Sequence, residues 1–363
     1  LGIHQPSYYC QANPDCVATQ LLSGILNNST ATSGVLVRFP YTSGSTDLTN
    51  YTTNNLPVYS TVAQKQQVGS IFGLAWQRTT GSLFSATYYK ADADIAVSPG
   101  ATFKGSSLYV DLNTIFPGSF GSEPAIGSQA SYTVAGKIGL GGIDIVEDPN
   151  NFVNDSLYVV SLYDRQLYRV PTSGGLNSST ITRYPIPGTT APLPGAAQAC
   201  AQSDVRPMAL GQYQGLLYVG LVCSGESTVL TSSLYAYIYT FDPVTKVFGT
   251  APVVQYPLTY TRQSVYTSTG IAYPIRSTWM PWTNNATYNT ATASPGVWGT
   301  IHNGLFYPSP LLSDIAFDGV GTMIMAFRDR FSYQFGAYVQ TICSAPPCWS
   351  ASAGDILKAS KTG

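Results

Sequence analysis

The stretch Gly142–Val170, GIDIVEDPNNFVNDSLYVVSLYDRQLYRV, constrains the fold more than any other, because the chain says it again. Alternating apolar and polar residues, many β-branched or aromatic, predict strands over Gly142–Val146, Ser156–Leu162 and Gln166–Val170. Phe72–Tyr89, Pro207–Val222 and Asp314–Phe327 follow the same grammar of strand, turn and second strand. Their turns fall at Gly81, Gln214–Gly215 and Gly319–Gly321. Degenerate strand–turn–strand units recurring along an all-β chain are the sequence signature of a β-propeller. The copies are unevenly spaced, and the widest interval, before Asp314, leaves room for another blade. The sequence therefore predicts an all-β fold: a six- or seven-bladed propeller over residues 33–363 with long inserted loops. Residues 1–32 read as an N-terminal extension carrying a small disulfide loop. No composition break marks a further domain, and no convincing amphipathic helix is present.

Only 10% of residues are charged and the net charge is −1, against about 25% charged in ordinary soluble domains. Nucleic acid is excluded as a partner, because it requires a basic stripe to displace counterions. Near-zero charge also removes the repulsion that keeps molecules apart, so either glycans do that job or the chain is built to assemble into a homo-oligomer or polymer. No apolar run reaches the roughly 18 residues of a membrane span. Leu1 is not an initiator methionine, so the sequence reads as a mature or trimmed product.

The six cysteines fall in local pairs, and the economical bridging is Cys10–Cys16, Cys200–Cys223 and Cys343–Cys348. The Cys200/Cys223 pair brackets the Pro207 unit and is expected to clamp its two outer strands. Disulfides imply an oxidising compartment. Sequons at Asn27, Asn28, Asn50, Asn154, Asn177 and Asn285 sit in turn-like contexts suited to N-glycans. Together they favour a secreted glycoprotein at or beyond the cell surface.

The segments IFGLAWQRTTGSLFSATYYK, GLGGIDIVED…SLYVVSLYDRQLYRV, RPMALGQYQGLLYVGLVC and LLSDIAFDGVGTMIMAFRDR resemble secreted propeller modules. Such modules occur in large bacterial surface proteins of the adhesin and extracellular-matrix kind. The resemblance covers roughly residues 33–359 and implies a propeller fold in an extracellular setting. It carries over no enzymatic residue. The Thr/Asn-rich loops, the sequons and the N-terminal cysteine loop depart from that family.

Propellers hold ligands along the axial channel, near which Asp144, Asp204, Arg206, Asp314, Arg328 and Asp329 are expected. Asp144 and Asp314 are the candidates for Ca²⁺, whose ligands are carboxylate and carbonyl oxygens. The bland alternative is that they bond blade amides, while Arg165, Arg328 and Arg330 pair with Asp164 and Asp329. His4 and His302 are the only histidines, and they form no triad. No G-x-S-x-G elbow, HExxH, P-loop or strand-borne GxGxxG appears. Trp279 and Trp298 suit inter-blade space, whereas Trp282 could offer an aromatic platform to a sugar. The reading is a non-enzymatic structural building block of an extracellular filament, wall or matrix. The alternatives are a calcium-dependent hydrolase or lactonase-type propeller, and a carbohydrate-binding adhesin.

Overall fold

The four repeats are the inner hairpins of four antiparallel sheets, and a fifth sheet precedes them. A computed structural model describes residues 14–43, 59–126, 128–148, 150–262, 265–266, 272–273, 278–284, 304–305, 307–334, 349–350 and 354–360. The first sheet runs β1 (Asp15–Thr19), β2 (Gly34–Pro40), β3 (Ser60–Gln64). The second runs β4 (Ile71–Gln77), β5 (Ser82–Thr87), β6 (Ala101–Lys104), β7 (Ser107–Asp111). The third runs β8 (Leu140–Val146), β9 (Ser156–Ser161), β10 (Gln166–Pro171), β11 (Thr182–Pro185). In the fourth, β12 (Val205–Tyr213), β13 (Leu216–Cys223) and β14 (Tyr235–Asp242) follow in order. Both β15 (Val247–Phe248) and β16 (Val254–Pro257) pair with β14. Two short ladders, β17 (Val265–Tyr266) with β18 (Ala272–Tyr273) and β19 (Gly304–Leu305) with β22 (Trp349–Ser350), lie outside the blades. The fifth blade comprises β20 (Pro310–Phe317), β21 (Met323–Asp329) and β23 (Asp355–Ala359).

This is an all-β propeller of five blades among the described residues, not the six or seven expected from the spacing. The wide interval before Asp314 holds only short ladders there, and the blade that lacks the repeat phrase is the first. Among the described residues helix is confined to single or double turns: α1 (Lys65–Val68), α2 (Leu112–Ile115), α3 (Gln129–Val134) and α4 (Phe331–Gln334). None is long and apolar enough to cross a membrane. Strand β1, inside the expected extension of residues 1–32, pairs with β2 from Asp15↔Pro40 to Thr19↔Leu36.

Burial explains why the central strands read as apolar runs. All six residues of β9 are buried, and their alternation sorts them between two cores. Tyr158 and Val160 join the cluster shared with the fourth blade, while Leu157 and Val159 join the one shared with the second. A strand covered on both faces loses the polar half of its alternation. Between β12 and β13 the two-residue turn Gln214–Gly215 has both φ angles positive, 49° and 80°. That is the primed geometry matching the strand twist, and glycine adopts it without strain.

The inner strands β4, β8, β12 and β20 share one feature, and three of them a second. Each carries a bulge, at Ile71/Leu74, Leu140/Ile143, Pro207/Ala209 and Leu312/Asp314. Bulges sharpen twist. Three of the four also meet the next strand through glycine. A Cβ on Gly73 would stand 2.6 Å from the Gly141 carbonyl oxygen, one on Gly141 2.7 Å from that of Met208, and one on Gly211 2.2 Å from that of Ile315. Successive inner strands thus approach backbone to backbone.

Cys200 and Cys223 are bonded, with Cα atoms 5.8 Å apart. The bridge does not clamp two outer strands. Cys223 ends β13 opposite Val205, so it ties the loop leading into the inner strand to the second strand. Cys16 lies on β1 opposite Phe39. Its expected partner Cys10, the pair Cys343 and Cys348, and also His4, Asn50, Asn285, Trp298 and His302 lie outside the described residues.

Candidate functional site

Two groups of charged residues sit along the inner strands, one partway along them and one at their N-terminal ends. Partway along are Asp144 on β8 and Asp314 on β20. Each carboxylate turns back on its own chain: the Ile145 amide donates to Asp144 Oδ1 at 2.8 Å and the Ile315 amide to Asp314 Oδ1 at 2.9 Å. Burial first, then the charge of Asp314, pushes the Asp144 carboxyl up to about 6. Asp314 shifts upward too, again mainly by burial. Asp144 therefore senses the charge of Asp314. Among the described residues, however, no three His, Cys, Asp or Glu side chains converge as a metal site would need.

The second group is denser. The loops before β8, after β13 and before β20 bring Lys137, Glu226 and Asn284 together, beside Arg206 at the start of β12 and Arg330 after β21. Lys137 Nζ donates to Glu226 Oε1 at 2.5 Å, and Arg206 Nη2 to Glu226 Oε2 at 2.8 Å. Burial works to raise the Glu226 carboxyl, but Lys137 and Arg330 overcome it and hold the group down at about 2. Burial and the nearby Arg330 pull Lys137 down to about 8, against the attraction of Glu226. Arg330 is fully buried and pays for it with carbonyls: Nε donates to Ala135 O at 2.8 Å, Nη1 to Thr283 O at 3.0 Å and Nη2 to Thr133 O at 3.0 Å. Its guanidinium lies 4.4 Å from the Trp282 ring centroid, and that of Arg206 lies 5.5 Å from it.

Gln334 Nε2 on α4 adds bonds to Tyr132 O at 3.2 Å and Thr283 O at 3.0 Å. This end of the propeller is thus filled by α3, α4 and the loop carrying Trp282. Buried ions require such saturation, since an unpaired one is far costlier than a surface charge.

The remaining sequence candidates have structural partners. Asp204 is buried and accepts from the Ser227 amide at 3.0 Å and its hydroxyl at 2.7 Å. Asp329 accepts from the Ser309 and Phe331 amides at 2.8 and 2.9 Å, and burial pushes it up to about 7. Arg328 lies over Phe72 at 4.7 Å and donates to the Tyr333 hydroxyl at 2.5 Å. The expected Arg–Asp pairings of Arg165, Arg328 and Arg330 with Asp164 and Asp329 do not form: Arg165 donates to Gln202 O, and Arg330 takes carbonyls. A guanidinium with five donors suits several carbonyls better than one carboxylate does.

The aromatic platform expected around Trp282 is also absent. Its ring is 1% exposed, and its Nε1 donates to Pro310 O at 2.7 Å. Trp279 is buried as expected, with Arg262 over it at 3.5 Å. Among the described residues the exposed indole is Trp76, in a cleft of about 980 Å³ between the first two blades.

Lys137, Glu226 and Asn284 went unremarked in the sequence because they stand in loops between repeats, without spacing or motif. The available signal was scarcity: in a chain so poor in charge, each ion has a structural task.

No family model matches the chain, and no solved structure matches it. Three proteins of Dictyostelium discoideum are similar to it. Colossin-C is 28% identical over 299 residues, covering 78% of this chain and 25% of Colossin-C. Colossin-A is 27% identical over 319 residues, covering 84% of this chain and 2% of Colossin-A. Colossin-D is 26% identical over 246 residues, covering 62% of this chain and 24% of Colossin-D. The chain spans about a quarter or less of the length of these relatives, and they are not the bacterial surface proteins its phrases resemble.

Proposed function

We propose that the chain is a non-catalytic module of an extracellular assembly, secreted, disulfide-bonded and N-glycosylated. The observation that carries this reading is the filled end of the propeller. Where such folds hold a small ligand, this one places its own Arg330, Trp282 and Gln334, all buried and hydrogen-bonded. The size relation to the colossins supports it, since a propeller-sized match is a small part of each much longer chain. Exposed Asn27, Asn154 and Asn177 are the glycan acceptors best placed among the described residues. Self-association proceeds through the parts of residues 1–32, 40–70 and 250–312 that lie outside the blade strands, with apolar side chains such as Val244 and Val247 on the fourth blade's rim adding contact area. Electron micrographs and sedimentation of native material test this. Ordered filaments or sheets are expected, and a dispersed monomer at high concentration with no partner recovered refutes it.

A second reading, a calcium-dependent hydrolase, draws only on the influence of Asp314 on Asp144. Elemental analysis of the purified protein without bound calcium removes it.

A further inference from the structure

The Lys137–Glu226–Asn284 trio has more order than charge pairing needs. Lys137 Nζ lies 3.1 Å from Asn284 Oδ1 as well as 2.5 Å from Glu226 Oε1. The Asn284 Nδ2 group donates to that same Glu226 oxygen. Arg330 Nη2 donates to Asn284 Oδ1 at 3.3 Å. An amine, a carboxamide and a carboxylate bonded to both are therefore held together, with a guanidinium on the carboxamide oxygen and the buried Trp282 ring beside them. We propose that Lys137 and Asn284 join spontaneously in an intramolecular isopeptide bond, with Glu226 transferring the proton.

The neutral Lys137 amine attacks Asn284 Cγ, forming the N–C bond and sending the carbonyl π electrons to Oδ1. Arg330 faces the resulting oxyanion, the position where a preorganised donor accelerates acyl transfer most. Glu226 Oε1 accepts a proton from Nζ and delivers it to Nδ2. The C–Nδ2 bond then breaks, the carbonyl re-forms and ammonia leaves. Atoms balance with no oxidant or co-reactant: an amine and a primary amide give a secondary amide and ammonia. Burial supplies the reactive form, because a desolvated lysine loses its proton more readily than an exposed one. Fixing both groups in one folded site replaces a bimolecular encounter by an effectively unimolecular step. Glu226 touches both reacting groups and is the catalytic residue; Arg330 polarises the carbonyl.

The bond would connect residues 147 positions apart in the chain, joining the loop before the third blade to the segment that leads towards the fifth. No disulfide is involved, so it would survive reduction.

The test is tryptic mapping of the full chain after enzymatic deglycosylation and reduction. Trypsin should fail to cut after Lys137 and yield one branched species joining residues 105–165 to 277–328, lighter by about 17 Da than the two together, the mass of the departing ammonia. A linear peptide ending at Lys137 overturns the proposal. So does loss of ammonia with cleavage after Lys137 intact, which denotes a cyclised asparagine instead. Asn284→Ala should abolish the branched species. Glu226→Gln should slow its formation at least tenfold, and unchanged formation overturns the role given to Glu226.

Discussion

Substituting Gly211 by alanine tests whether the inner strands truly meet through their backbones. The glycine has ordinary φ, so alanine would otherwise gain roughly 0.4–1 kcal/mol by restricting the unfolded chain. In the fold, its Cβ would fall 2.2 Å from the Ile315 carbonyl oxygen, where ordinary contact begins at 3.4 Å. One strand must therefore retreat by roughly 1 Å, an overpacking that typically costs 1–3 kcal/mol and sometimes more. Strand β12 has no room to move the other way, because Met208 O and Leu210 N already stand 2.7 Å from Cβ positions on Gly141 and Gly142. The net expectation is a loss of about 1–2 kcal/mol, seen as a melting point lower by about 1–3 °C for a chain of 363 residues. Urea unfolding followed by tryptophan fluorescence measures it. Gly319→Ala is the control: nothing lies within 4 Å of its Cβ position, so it should change stability by less than about 0.5 kcal/mol. If Gly211→Ala melts at or above the parent, the close approach of β12 to β20 is wrong.

Cys200→Ser should cost about 3 kcal/mol by releasing a 23-residue loop, and parent protein in reductant should melt alongside it; an unchanged melt denies the bridge a stabilising role. Asp144 holds its proton up to about 6 in the fold, against 3.8 as its reference, so its neutral form stabilises the protein below about pH 4 and that contribution is lost as pH rises towards 6. Asp144→Asn should therefore match the parent at pH 4 and exceed it by about 1–2 kcal/mol at pH 7; a variant less stable at pH 7, or calcium that stabilises only the parent, would instead favour a metal there. Removing residues 1–13 leaves every described strand intact, so melting should hold while assembly weakens; filaments that form as before would acquit the N-terminal segment.

Much of the fold was legible where local pattern and tertiary role coincide. The strands read at Ser156–Leu162 and Gln166–Val170 sit within a residue of β9 and β10, because period-two alternation and paired cores agree there. The first blade was not counted among the repeats because β1 to β3 carry no repeat phrase and their pairing is set by long connections. Blade number failed for a related reason: spacing along the chain reports loop length as much as sheet count. Asp144 and Asp314 were found because they recur at the same place in two repeats, before an isoleucine whose amide each accepts. Lys137, Glu226 and Asn284 were not, since three loops 89 and 147 residues from Lys137 to its partners converge only after the blades are docked. Trp282 was misjudged because a tryptophan among turn residues looks exposed until Arg206 and Arg330 lie over its ring.

The residues just after β21 reach furthest across the chain. Arg330 and Gln334 take carbonyls from Thr133, Ala135 and Tyr132, and the Tyr333 carbonyl accepts from the Ala91 amide. Almost every other strand pairing is a hairpin with its neighbour. A chain emerging from its N-terminus can therefore raise sheet upon sheet with short searches, while residues 91 and 132–135 wait unclaimed for a segment made some 200 positions later. Among the described residues the longest-range closure falls to one clasp of five residues, 330–334, and topology of that kind sets the pace of folding. A ribosome that stalls before Arg330 would release a row of finished blades with their clasp missing.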